Sequence, residues 1–265
     1  MPRAIVTRPA KEAQAWVDDL RALGVDAVSM PLINISPVSD GSALARAWGQ
    51  IDGYHAIMFV SGNAASHFFA QQPPEGETPW RAPQRAWVTG PGSRVALEAC
   101  GVPTDCIDAP AADGAQFDSE ALWTVVRHQV APGMRVLIVR GSAADAGSAV
   151  SSASGTGRDW LAQQIEAAGG TVDFVVAYER RAPVWSNAEL EWVALAAGDG
   201  SVWLLSSAEG LGYLLEAAPG QGWERAHALA THPRIATAAR QAGFGRVQEV
   251  RPVLADIVAS IESVA

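Results

Sequence analysis

Six short clusters hold most of the groups in this chain that could do chemistry. They are Thr7-Arg8, Ser61-Gly62-Asn63, Thr89 to Ser93, Arg140-Gly141, Ser206-Ser207 and Thr231 to Arg234. Each follows a short apolar run, which places it where a strand of a parallel sheet ends. Hydroxyls, glycine amides and guanidinium groups at such ends, backed by the positive end of a helix dipole, suit an anion. A single serine or threonine there is accounted for as a helix N-cap. Six clusters at equivalent positions point to binding, because ligands of parallel α/β sheets sit at the carboxyl ends of the strands.

Other chemistries find no support. Gly90-x-Gly92 lacks the third glycine of a dinucleotide fingerprint and an acid about 20 residues further on. There is no phosphate-binding loop, no nucleophile elbow and no Ser/His/Asp constellation. The histidines His55, His67, His128, His227 and His232 never fall at ligand spacing, so no metal is expected. Cys100 and Cys106, six apart around a turn, read as thiols of a reducing compartment. A net charge of −9 provides no field for nucleic acid or anionic lipid. A small polyanion remains possible through a local patch of arginine and backbone N–H groups. No run approaches the ~18 apolar residues that span a bilayer, and the N-terminus enters a strand-like run without a signal segment, so the cytoplasm is expected.

The elements that must position the clusters follow from hydrophobic spacing. Lys11 to Leu23 has apolar residues at Ala13, Trp16, Val17, Leu20 and Leu23, one buried helical face, with Gly24 as its stop. Strands are expected at 4–7, 26–30, 55–60, 85–88, 134–139, 171–178, 201–205, 227–230 and 247–250. Helices fall between them, including 64–70, 93–99, 117–130 with Asp118 or Ser119 as N-cap, and 158–168. Alternation of this kind argues for parallel α/β sheets. Gln71 to Gln84 is polar and Pro-rich. Gly141 to Gly157, nearly all Ala, Ser and Gly, reads as a flexible insertion.

The chain also repeats itself. Ala56 to Ser61 is echoed by Val202 to Ser206, Ala86 to Pro91 by Ala228 to Pro233, and Ala4 to Arg8 by Val136 to Arg140. The first unit has its partners at the far end, while the middle holds a complete set. One lobe inserted into the other would produce that order: lobe A from 1–34 and 180–265, lobe B from 37–176. The crossovers Leu32 to Ser36 and Val175 to Arg181 are both extended and are expected to pair as a two-stranded β hinge, whose opening and closing suits a monomer.

The chain resembles the uroporphyrinogen-III synthase family along nearly its whole length. The residues are Val6-Thr7-Arg8-Pro9, Leu20-x-x-Leu23-Gly24, Pro31-Leu32, Phe59 to Ala64, Val88 to Ser93, Leu137 to Gly141, Gly157 to Leu161, and Val175-x-x-Tyr178-Glu179-Arg180. The resemblance implies two flavodoxin-like lobes joined by a β-ladder. It implies a cofactor-free lyase that closes the linear tetrapyrrole hydroxymethylbilane into uroporphyrinogen III, with ring D inverted and water lost. Tyr178 would assist the loss of hydroxide. Thr7, Arg8, Ser61, Asn63, Ser93, Arg140, Gly141, Arg158, Ser206 and Thr231 would hold the substrate, with Arg180 a further match. This chain has Ile235 where the family offers a threonine, and Thr231 or Thr237 would stand in for it. Gly62 and Val60 also replace a more usual Thr-Ser neighbourhood. A two-lobed sensor that closes on a small anion without turning it over shares the same fold and is the alternative.

Overall fold

The apolar runs of the sequence become short buried strands. From the N-terminus come β1 (Ala4–Val6), α1 (Ala10–Ala22), β2 (Ala27–Ser29) and β3 (Asn34–Pro37). Next are α2 (Ser42–Gly49), β4 (Ala56–Phe59), α3 (Gly62–Phe69), β5 (Arg85–Val88), α4 (Pro91–Ala99), the two-residue β6 (Ile107–Asp108) and α5 (Ser119–Val126). Then follow β7 (Arg135–Ala143), α6 (Thr156–Ala167), β8 (Thr171–Arg181), α7 (Asn187–Ala196), β9 (Val202–Leu205) and α8 (Ala208–Ala217). The last elements are β10 (His227–Ala230), α9 (Pro233–Gln241), β11 (Arg246–Glu249) and α10 (Leu254–Glu262). This computed structural model describes residues 1–73, 80, 83–114, 116–143 and 156–263.

Contacts divide the chain into two units, Met1–Asn34 with Arg181–Ala265, and Ile35–Arg180. The sheet of the first has the order β11-β10-β9-β1-β2, with parallel pairing at every neighbour. Counted along the chain within that unit the order is 2-1-3-4-5, the flavodoxin-like doubly wound arrangement. The sheet of the second has the order β3-β8-β7-β4-β5-β6. Starting the count at β7 gives β8-β7-β4-β5-β6 the same 2-1-3-4-5 order. The second unit is thus a circular permutant of the first: β7 occupies the place of β1, β4 that of β9, and β5 that of β10. These are the equivalences that the internal repeat implied.

Alternate residues of each central strand enter opposite cores. Ile5, Trp203, Leu205 and Ala228 bury on one face of the first sheet, and Ala4, Val6, Val202, Leu204 and Leu229 on the other. In the second sheet Ile57, Phe59, Leu137 and Val139 share one core, and Ala56, Met58, Val136 and Ile138 the other. Burial on both faces explains why these strands read as unbroken apolar runs. The crossover helices close alike. After α1, Gly24 at φ +82° lets Val25 N–H reach the Leu20 carbonyl at 3.0 Å; after α6, Gly169 at φ +88° lets Gly170 N–H reach Ile165 at 3.0 Å.

Several expectations are adjusted by the structure. The crossover segments do lie side by side, but as part of the six-stranded sheet, with β3 as its edge strand next to β8, which continues past a one-residue bulge to Arg181. Of the segment read as an insertion, Gly141–Ala143 belong to β7 and Thr156 and Gly157 to α6, and 144–155 lie outside the described residues. Positions 74–79 and 81–82 of the Pro-rich stretch also lie outside them. Helix 117–130 is shorter, running from Asp118, whose carboxylate accepts Ala121 N–H at 2.9 Å, to Val126, followed by a 3₁₀ turn. Cys100 and Cys106 are free thiols. No helix among the described residues is long and apolar enough to cross a membrane.

Candidate functional site

In a doubly wound sheet the carboxyl ends of the strands splay apart where the strand order reverses. In the first unit this switch point lies between β1 and β9, beside Thr7, Arg8 and Ser206. In the second it lies between β7 and β4, beside Gly141 and Ser61.

The second switch point carries the densest set of polar groups. Ser61 leaves β4 in extended backbone and caps α3, its Oγ accepting Ala64 N–H at 3.1 Å. The Tyr178 hydroxyl lies 3.1 Å from the same Oγ, and either group can donate. Tyr178 is 4% exposed. His67, from α3, stacks on its ring with centroids 5.8 Å apart and planes inclined by 27°. Buried Arg180 lies two residues further along β8. Across from the ring, on β7, stands Gly141. A hydroxyl and an imidazole thereby meet one phenol, and the phenol and a guanidinium lie against one glycine. Because Ser61 Oγ already accepts an amide proton, its own proton can go to Tyr178, which leaves the phenolic proton for another acceptor.

Other expected residues stand nearby or apart. Arg140 precedes a register shift between β7 and β8 and places its guanidinium 4.5 Å over the Phe174 ring. Asn63 is half-buried in the first turn of α3. Ser93 occupies the same part of α4, whose N-cap is Gly90 and carries no side-chain cap. A Cβ on Gly62 would come within 3.2 Å of Ala96 Cβ and 3.5 Å of the Gly92 carbonyl. Glycine at that point lets the starts of α3 and α4 approach. Arg158 lies in α6, its side chain outside the described residues.

In the first unit the strand-tip side chains are largely engaged within the protein. Thr7 is buried and its Oγ1 donates to the Leu204 carbonyl at 2.6 Å. The Arg8 guanidinium lies 4.6 Å over the Trp16 ring and 3.4 Å from Glu12. Burial pushes its pKa below the usual arginine value, with Glu12 opposing. Ser207, not Ser206, caps α8 by accepting Gly210 N–H at 3.2 Å, and Ser206 is half-buried beside it. Thr231 bonds the Leu205 carbonyl through its N–H at 3.1 Å and its Oγ1 at 3.5 Å. Ile235 is a core residue. Its place in α9 is filled by packing, not by a contact group.

Sequence reasoning missed His67, weighing it only as a metal ligand. A signal was present: Asn63 and His67 are four apart in α3 and share a face. His232, inside the expected cluster Thr231 to Arg234, caps α9, with its Nδ1 accepting Arg234 N–H at 3.1 Å.

Fold and site together define a two-unit, doubly wound α/β protein whose strand tips offer phenol, hydroxyl and guanidinium groups in place of a nucleotide fingerprint. Comparison narrows this class to one family. The chain belongs to the uroporphyrinogen-III synthase family, whose model, described as Uroporphyrinogen-III synthase HemD, matches residues 14–259. It is 26% identical over 253 residues to the uroporphyrinogen-III synthase of Salmonella typhimurium, covering 91% of each chain. Among solved structures, the uroporphyrinogen-III synthetase of Helicobacter pylori superposes with a TM-score of 0.54 at 12% identity, over 99% of this chain and 100% of that one. A mutant uroporphyrinogen III synthase from Thermus thermophilus gives 0.53 at 14%, over 100% and 98%. At such identities these two likenesses speak for the fold alone.

Proposed function

We propose that this chain closes hydroxymethylbilane to uroporphyrinogen III, with Tyr178 as the group that assists departure of the terminal hydroxyl. The observation that carries the chemistry is the Tyr178–Ser61 hydrogen bond of 3.1 Å at the carboxyl end of the second sheet. With Ser61 donating to the phenol oxygen, the phenolic proton is free for the leaving oxygen. The carbon–oxygen bond of the hydroxymethyl group breaks, and the oxygen departs with that proton as water. The pyrrole nitrogen supplies the electron pair, leaving an azafulvenium cation. That cation attacks the substituted carbon of ring D. The spiro intermediate fragments and recloses with the ring turned over, and the proton lost as the ring regains aromaticity returns to Tyr178. No net proton is gained or lost by the protein.

The cation would cyclise unaided to the wrong isomer, so holding the substrate's conformation matters as much as acceleration. Asn63, Ser93, Arg140, Gly141, Arg158, Ser206 and Thr231 are proposed to contribute backbone amides, hydroxyls or guanidinium groups to the substrate carboxylates. Thr7 and Arg8 are retained through their backbone groups and the far side of the guanidinium, since Thr7 Oγ1 is engaged with Leu204. The proposal includes a monomer acting in the cytoplasm without nucleic acid or membrane. The family match favours an enzyme over the anion-sensor alternative.

The test is chromatography of the product formed from hydroxymethylbilane by the purified chain. Predominantly type III isomer is expected. Type I isomer alone, at the uncatalysed rate, would end the reading.

A further inference from the structure

We infer that Gly141 is a positioning residue for Tyr178: a one-residue bulge in β8 and the missing side chain of Gly141 together carry the phenol across β7 to Ser61. The inference rests on the role given to Tyr178 above. The strand order β8-β7-β4 puts β7 between the tyrosine and the tip of β4 that holds Ser61. Neighbouring strands are about 4.8 Å apart, so the ring must lie over β7 to reach its partner.

The register shows how it gets there. β7 and β8 pair one to one from Arg135 with Thr171 to Arg140 with Val176, and then Gly141 faces Tyr178, leaving Ala177 as an extra residue. In an unbroken strand Val175 and Ala177 would point one way, and Val176 and Tyr178 the other. Here Val175, Ala177 and Tyr178 all bury in one core cluster. The extra residue resets the alternation, as bulges do beside active sites. Tyr178 and then Arg180 turn onto the face that Val175 occupied. Leu137 and Val139 of β7 lie on that face, and Gly141 is next in their series.

A side chain at Gly141 would occupy the space of the ring. Its Cβ would fall against Cζ of Tyr178, 2.5 Å from Cε2 and 2.8 Å from Nη1 of Arg180, where comfortable carbon contacts are about 3.5–4 Å. The backbone of Gly141 is not left-handed, so alanine would meet no conformational penalty there. The conflict is with the tyrosine and the arginine alone. His67 against one face of the ring and Ser61 at its hydroxyl limit how the ring can yield.

The experiment measures kcat, KM and Tm for type III formation in Gly141→Ala, Tyr178→Ala and the double variant. Gly141→Ala is expected to lower kcat about ten-fold or more with KM within about two-fold. In the Tyr178→Ala background the same substitution should change kcat less than about two-fold and cost little Tm, since no ring remains to displace. A raised KM at unchanged kcat would mean that the added methyl group meets the substrate instead of the tyrosine ring, and would overturn the inference. Equal losses of kcat in both backgrounds would do the same. Should Gly141→Ala fail to fold, a folded double variant supports the conflict of ring and Cβ, and an unfolded one refutes it. Wild-type turnover in Tyr178→Ala would instead remove the tyrosine from the chemistry, and the comparison of Tm values would still decide the role of Gly141.

Discussion

Thr7 and Leu204 are tied together across the switch point of the five-stranded sheet, Thr7 Oγ1 donating to the Leu204 carbonyl at 2.6 Å. A threonine hydroxyl has a single proton, so this bond leaves Thr7 none for a substrate carboxylate. The residue closes the seam between β1 and β9. In the other sheet a longer reach does the comparable job, with Tyr178 of β8 passing over β7 to the end of β4.

Thr7→Val keeps the shape and removes the proton. It should cost about 1 kcal/mol, because the Leu204 carbonyl loses a buried donor, and lower Tm by about 2–4 °C in a chain of this size. KM for hydroxymethylbilane should stay unchanged. A calorimetric scan and a steady-state assay check this, and a several-fold rise in KM with unchanged Tm would return the hydroxyl to the substrate.

Tyr178→Phe should reduce kcat by about ten-fold or more, the loss expected for a general acid that only partly assists departure. Stability should change by about 1 kcal/mol or less, since the ring remains packed and only the bond to Ser61 is lost. Single-turnover kinetics with circular dichroism separates the two effects. Full activity in this variant removes the phenol from the mechanism.

The two residues of β6 are held by Arg85, whose Nε and Nη2 reach the Asp108 carboxylate at 2.8 and 2.6 Å. Gln129 bonds the same carboxylate at 3.1 Å and accepts Trp87 Nε1 at 3.2 Å. Asp108→Asn removes one charge and one acceptor from this partly buried network and should cost about 1–2 kcal/mol. Urea denaturation monitored by tryptophan fluorescence would read the change. An unaltered midpoint would show that β6 stands without the pair.

Glu189 caps α7 reciprocally with Ser186, whose backbone N–H and hydroxyl both donate to it at 2.7 Å. The backbone bond first, and the hydroxyl second, hold the Glu189 pKa below the ordinary carboxylate value. A depressed folded-state pKa means that its stabilisation is fully present above the unfolded pKa and is lost as pH falls through the folded one. The Tm difference between the protein and Glu189→Gln should therefore shrink as pH drops from neutral through about 4. A difference independent of pH would contradict this.

Much of the fold was legible in the residues. Strand segments buried on both faces must be apolar, so β1, β4, β9 and the buried middles of β7 and β10 announce themselves as apolar runs, and their repetition in order carried the pairing of equivalent strands. β6 did not, since two residues have no periodicity. Ser61 reads as a helix cap from local spacing alone, and it is one. Tyr178 stood out only by resemblance.

What the residues determined by themselves was local: which segments are strands, which helices follow them, and which kinds of group end up at the strand tips. The tertiary structure decided which of those groups remain available. Whether Thr7 spends its proton on Leu204, whether Ser207 or Ser206 caps α8, and whether Tyr178 turns inward at Ala177 all depend on register between strands far apart in the chain. Periodicity records the face a side chain takes within its own element. It carries no information about the neighbour that a non-local pairing brings opposite, and a hydroxyl or a phenol acquires its role from that neighbour.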